Sequence, residues 1–142
     1  MDTQSLLIRP YCEAEEAEVI SLWLSVFPDE PPWNAPVLVI RRKVSLQRDL
    51  FLVGEFRDRV VATVLAGFDG FRGWVYHLAV APEHRRQGFG RAMMQEVEAR
   101  LRLLGCPKLN LQVRTTNAEV IEFYRRIGYQ VEDRVSLGKR LE

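Results

Sequence analysis

Cysteine is scarce. Cys12 and Cys106 are the only two in 142 residues, and they form neither a metal-ligand spacing nor a redox-pair motif. Two reduced thiols in a cytoplasmic protein are the expectation, with no metal. Long apolar runs are missing too. None approaches the roughly 20 residues that cross a bilayer. Met1-Asp2-Thr3-Gln4-Ser5 has no basic segment followed by a long apolar stretch, so no secretory leader is expected. Charge of one sign is also lacking: 20 Lys and Arg against 19 Asp and Glu leave a net charge of +1. That balance argues against a nucleic-acid partner held by a broad basic surface, and leaves room for one small basic pocket. Internal repeats, low-complexity tracts and linkers are absent. What remains is one globular domain, residues 1–142, long enough to bury a core.

The periodicities predict a mixed α/β chain. Leu6-Leu7-Ile8 reads as a short strand stopped at Pro10. Glu13 to Phe27 reads as a helix with Ile20, Trp23, Leu24 and Phe27 on one face and acidic residues in its early turns. The Pro-rich loop from Pro28 to Pro36 leads to a second helix, Pro36 to Gln47. Strands follow at Leu50–Phe56, Val60–Phe68 and Trp74–Val80, with a tight turn at Arg57-Asp58-Arg59. Gly88 to Leu104 repeats its apolar residues at intervals of three or four and stops at Gly105. Leu109 to Val113 alternates as a strand, Asn117 caps a helix that runs to Ile127, and Tyr129 to Leu137 reads as a last strand.

One segment concentrates chemistry. After the strand ending at Val80, the run Arg85-Arg86-Gln87-Gly88-Phe89-Gly90-Arg91 opens a helix. A helix start leaves backbone amides unpaired and carries partial positive charge, which suits phosphate oxygens. Gly88 and Gly90 let a ligand approach the backbone, and three arginines add charge. Two glycines alone are a turn, and an Arg pair alone is a solvated surface. Together with the strand-to-helix context they point to a pyrophosphate seat.

Arg85-x-x-Gly88-x-Gly90, preceded by Leu78-Ala79-Val80-x-Pro82, resembles the signature of the GCN5-related N-acetyltransferase (GNAT) family. Asn117 with Phe123-Tyr124-Arg125-Arg126-Ile127-Gly128-Tyr129 resembles its second motif. Pro32-Trp33-Asn34, Asp69-Gly70, Gly105-Cys106-Pro107 and Ser136-Leu137-Gly138-Lys139-Arg140-Leu141 are similar to its YpeA-like group. The resemblance implies a mostly antiparallel sheet, flanked by helices and split by a V-shaped cleft where the strand ending at Val80 splays from its neighbour. It implies acetyl-CoA as cosubstrate. Leu78 and Val80 would meet the acetyl and pantetheine portions, residues 86–91 the pyrophosphate, and Asn117 the pantetheine arm. Trp33 and Asn34 fall where this family shapes its acceptor pocket, although a loop Trp also packs on a core. Arg42 and Lys43 would favour an anionic acceptor if they faced the cleft.

Attack of an amine on a thioester needs a neutral amine, a stabilised oxyanion and a protonated leaving group. A backbone amide near Leu78 or Ala79 suits the oxyanion. Tyr124, with an ordinary pKa of about 10, is the candidate acid, against the alternative of a packing aromatic. For the base, the residues leave His77, Asp69, Glu83 or a water chain open. His77 has the best intrinsic pKa, about 6.5. Ribosomal-protein acetyltransferases of this family carry a glutamate where this chain has Gln112. The expected activity is therefore direct transfer of acetyl to a primary amine, of a small molecule or a peptide. A protein N-terminal or lysine acetyltransferase and a non-catalytic acyl-CoA sensor are the alternatives, and a homodimer stays open.

Overall fold

The structure, a computed structural model, describes residues 5–142; the segment Met1–Gln4, read above for a leader, lies outside the described residues. The chain divides into two compact units, one ending at Gln112 and one of Val113–Glu142.

In the first unit, five strands form one sheet in the order β1 (Leu7–Pro10), β2 (Phe51–Phe56), β3 (Arg59–Phe68), β4 (Gly73–Val80), β5 (Leu109–Leu111). The first three pairings are antiparallel and β4 with β5 is parallel. This is the mixed, mostly antiparallel sheet the sequence called for. The β2–β3 turn has both Arg57 and Asp58 at positive φ, 53° and 64°. That geometry matches the right-handed twist of the two strands it joins.

Helix α1 (Glu16–Val26), entered through a short 3-10 turn at Glu13–Glu15, buries Val19, Leu22 and Trp23. Leu24, expected on the core face, is 58% exposed. The stripe of α1 that meets β3 and β4 is centred between Val19 and Trp23, so Leu24 falls outside it. Helix α2 (Pro36–Val44) ends before the expected Gln47. Gln47 instead takes a left-handed conformation and its side chain pairs with both backbone groups of Phe68, extending β3 by one rung.

Helix α3 (Phe89–Leu103) buries Met93, Met94, Val97 and Leu101. It stops where Gly105 adopts φ 82° while Cys106 N–H bonds Leu101 C=O and Gly105 N–H bonds Arg102 C=O. This closing motif demands a residue that tolerates positive φ. Leu104, expected in the core, is half exposed at that stop.

The second unit holds α4 (Ala118–Arg126). Asn117 caps it, its side-chain oxygen accepting from Val120 N–H at 3.4 Å. The helix closes with the same motif as α3: Gly128 at φ 106°, Tyr129 N–H on Tyr124 C=O, and the two tyrosine rings 5.6 Å apart. The strand expected at Tyr129–Leu137 does not form, and Val131, Val135 and Leu137 are exposed. Alternation specifies which side of a strand would be apolar. It does not supply the neighbouring ladder that makes a strand.

Candidate active site

The two neighbours of β4 leave it differently. With β5 it pairs only over Gly73–Val75, against Leu109–Leu111. Beyond Val75 the β5 side of β4 has no partner strand among the described residues. With β3 it pairs along its length, but the register slips between Thr63 and Leu65, so that His77 and Leu78 together oppose Val64. His77 sits at this bulge with φ 53°. A bulge bends and twists its strand, which turns the end of β4 away from β5 and opens the cleft.

A buried hydroxyl secures the bulge. Thr63, with no exposed surface, accepts from Trp23 Nε1 at 2.8 Å and donates to the His77 carbonyl at 3.1 Å. Past the bulge, Ala81 N–H bonds Val61 C=O and Ala79 lies opposite Thr63. Antiparallel pairs alternate, so Ala79 turns its backbone to β3 while Leu78 and Val80 turn theirs to the open side. Ala79, named above for the oxyanion, is therefore committed to the ladder. Arg85 Nε reaches the Val80 carbonyl at 3.4 Å.

The open edge leads to the start of α3. Gly88 is its N-cap at φ 82°, no side chain caps the helix, and a Cβ built at Gly88 meets nothing within 4 Å. The first helical bond runs from Ala92 N–H to Gly88 C=O. The amides of Phe89, Gly90 and Arg91 thus precede the helical ladder and are available to an anion. Arg85, Arg86 and Gln87 are exposed around them, with Arg86 in the left-handed region at φ 63°. A diphosphate fits this arrangement of open space, main-chain donors and guanidinium groups.

On the other flank of His77 lies a pocket of about 220 Å³. Its walls are Trp23 and Leu24 of α1, Phe27 at the end of that helix and the prolines of the 28–36 stretch; its polar groups are Glu30, Asn34 and His77. Leu24 is exposed because it faces this space. The His77 ring packs on Trp23 at 4.7 Å and edge-on to Phe27 at 5.2 Å. Burial lowers its pKa, with the Glu30 carboxylate opposing. Glu30 Oε1 lies 4.0 Å from His77 Nε2 and accepts from Asn34 Nδ2 at 3.3 Å.

The sequence model of the acetyltransferase (GNAT) family matches residues 13–129. The chain belongs to that family. It is a GNAT enzyme, an N-acetyltransferase with acetyl-CoA as donor. An acetyltransferase of Yersinia enterocolitica is 41% identical over 134 residues, 94% of each chain. Among solved structures, the PaiA N-acetyltransferase of Thermoplasma acidophilum in complex with coenzyme A has a TM-score of 0.81 at 18% identity, over 92% of this chain and 93% of that one. The aminoglycoside N-acetyltransferase AAC(6')-Iy in complex with CoA has a TM-score of 0.78 at 14% identity, over 99% and 97%.

Set against this GNAT frame, the residues named from sequence divide into groups. Leu78, Val80 and His77 lie on β4, and Arg85–Arg91 run from the turn after it into the start of α3. Asn34 lines the pocket, whereas Trp33 lies outside it and is 44% exposed. Asp69 is not poised as a base: its carboxylate accepts from Arg72 and Phe71 N–H, both at 2.8 Å, which holds its pKa low and builds the β3–β4 turn. Glu83 is exposed. Lys43 donates to the Ala66 carbonyl at 2.5 Å, and neither it nor Arg42 lines the pocket. In the second unit, Asn117 is exposed at its cap, and Tyr124 is buried, which pushes its phenol pKa well up.

Two residues that shape the site escaped the sequence reading. Thr63 had a signal, as the one hydroxyl in the apolar run Val60–Phe68. Glu30 had none, being one acidic residue in a proline-rich loop.

Proposed function

We propose that residues 1–142 act as one catalytic domain that moves acetyl from acetyl-CoA directly to the primary amine of a small molecule. The family match across residues 13–129 supports one domain. The observation that carries the reading is the open edge of β4 beyond Val75, with the main-chain donors at the start of α3 and the pocket at His77. A pocket of about 220 Å³ suits a small amine, and the similar AAC(6')-Iy is by its name an acetyltransferase of small-molecule aminoglycosides.

Acetyl-CoA supplies an activated acetyl thioester. The amides of Phe89, Gly90 and Arg91, with Arg85, Arg86 and Gln87, hold the diphosphate. The outward groups of Leu78 and Val80 receive the acetyl and pantetheine portions. His77, kept neutral near pH 7 by burial, takes a proton from the incoming ammonium. As the C–N bond forms and the C–S bond breaks, the second proton leaves the nitrogen and one proton ends on the departing sulfur. Tyr124 is the donor that the family resemblance suggests, its phenol being protonated at neutral pH. One proton is released to water per turnover.

A panel of amines and peptides, assayed by thiol release from acetyl-CoA, tests this. Turnover on small primary amines is expected. Turnover on peptides alone would replace the acceptor class. Heat of coenzyme A binding without turnover on any amine would make the protein an acyl-CoA sensor.

A further inference from the structure

The 220 Å³ pocket beside His77 has an uneven chemistry. Its walls are indole, phenyl, isobutyl and proline rings, and its one carboxylate is Glu30. Asn34 Nδ2 donates to that carboxylate at 3.3 Å from within the pocket, and His77 Nε2 lies 4.0 Å from it. The cationic side chains of α2 contribute nothing to the lining. An anionic acceptor would meet Glu30 with like charge in a site of low polarity, where charge pairs count for more than in water. An ammonium would meet opposite charge, with aromatic faces beside it that also attract cations.

We propose that Glu30 is the residue that selects and seats the acceptor: its carboxylate receives the ammonium group of a cationic primary amine with an apolar stem and holds it against His77. This deepens the acetyl-transfer reading and rests on it. Glu30 acts twice. It raises the local concentration of the charged amine, and it stabilises the imidazolium that forms when His77 takes the proton. The rings packed on His77, Trp23 and Phe27, carry no charge, and Glu30 is the charged group that acts on it. The proline walls, which lose little entropy on ordering, hold the loop in place around it.

The test uses the full chain with Glu30→Gln and Glu30→Asp. Wild-type protein is assayed by thiol release with straight-chain primary amines, and inhibition is measured with a matched pair of unreactive ligands: the tertiary amine and the alcohol on the same stem. In wild type the amine should inhibit at least tenfold better than the alcohol. Glu30→Gln should bring that ratio close to one and raise KM for amines by about tenfold or more. It should also move the acid limb of the kcat/KM profile to lower pH, since the ring loses the anion that favours its charged form. Glu30→Asp should restore part of the ratio. Coenzyme A binding by calorimetry and Tm should match wild type, which separates an acceptor defect from misfolding. If amines are acetylated and Glu30→Gln keeps the wild-type ratio and KM, the Glu30 assignment is overturned while acetyl transfer stands. If no amine is acetylated although coenzyme A binds, the acetyl-transfer reading fails and takes this one with it.

Discussion

Thr63→Val tests whether one hydroxyl holds the bulge that opens the cleft. The substitution keeps the shape of the side chain and removes a group with two jobs: accepting from Trp23 Nε1 at 2.8 Å and donating to the His77 carbonyl at 3.1 Å. Each buried group left unpartnered costs about 1–3 kcal/mol. The two together should cost about 3 kcal/mol once some relaxation is allowed, so Tm should fall by roughly 10 °C for a chain of this size. Activity should fall further than stability explains, because the His77 carbonyl loses the anchor that sets ring and strand. A misalignment near 1 Å lowers kcat/KM by up to about a hundredfold. Thr63→Ser keeps the hydroxyl and should cost only about 1 kcal/mol for its lost methyl. Trp23→Phe completes a cycle: with the indole donor gone, Thr63→Val strands one group fewer, so the double variant should be less destabilised than the sum by about 1 kcal/mol. Scanning fluorimetry and thiol release read both effects. A Thr63→Val protein with wild-type Tm and wild-type kcat/KM would refute the account of the bulge.

Gly88→Ala meets no atom, so its cost is conformational: about 1–2 kcal/mol for a left-handed residue, read as a lower Tm, together with weaker coenzyme A binding by calorimetry. Tyr124→Phe should lower kcat while leaving the coenzyme A dissociation constant within about twofold, a split that a packing role alone would not give. Glu15 gives a pH dependence. Burial by itself raises its pKa, but hydrogen bonds from Arg9 and from the Cys12 backbone outweigh this and the net shift is downward. A carboxylate with a depressed folded pKa stabilises the protein above its unfolded value, about 4.3, and that stabilisation is lost as pH falls through the folded value. Glu15→Gln should therefore lower Tm near pH 7 and show a shallower decline of Tm below about pH 5.

The features of this protein that depend on local chemistry are readable from its residues alone. Gly88 and Gly105 are legible because their backbones need positive φ, and Asn117 because a helix start needs an acceptor for its free amides. The strands β2 to β4 are legible from apolar runs between turn residues, and the anion seat from glycines and arginines where a strand becomes a helix. Tertiary structure decided whatever depends on a distant partner. The bulge at His77 is held because Thr63, 14 residues away in sequence, donates to its carbonyl, and Trp23, another 40 residues away, donates to Thr63. Leu24 faces a pocket instead of the core because the 28–36 loop stands opposite it. Glu30 gains its meaning from His77, and the apolar alternation after Tyr129 found no ladder to join. Local propensity is a property of a few residues, whereas a hydrogen-bond partner across the sheet is a property of the fold.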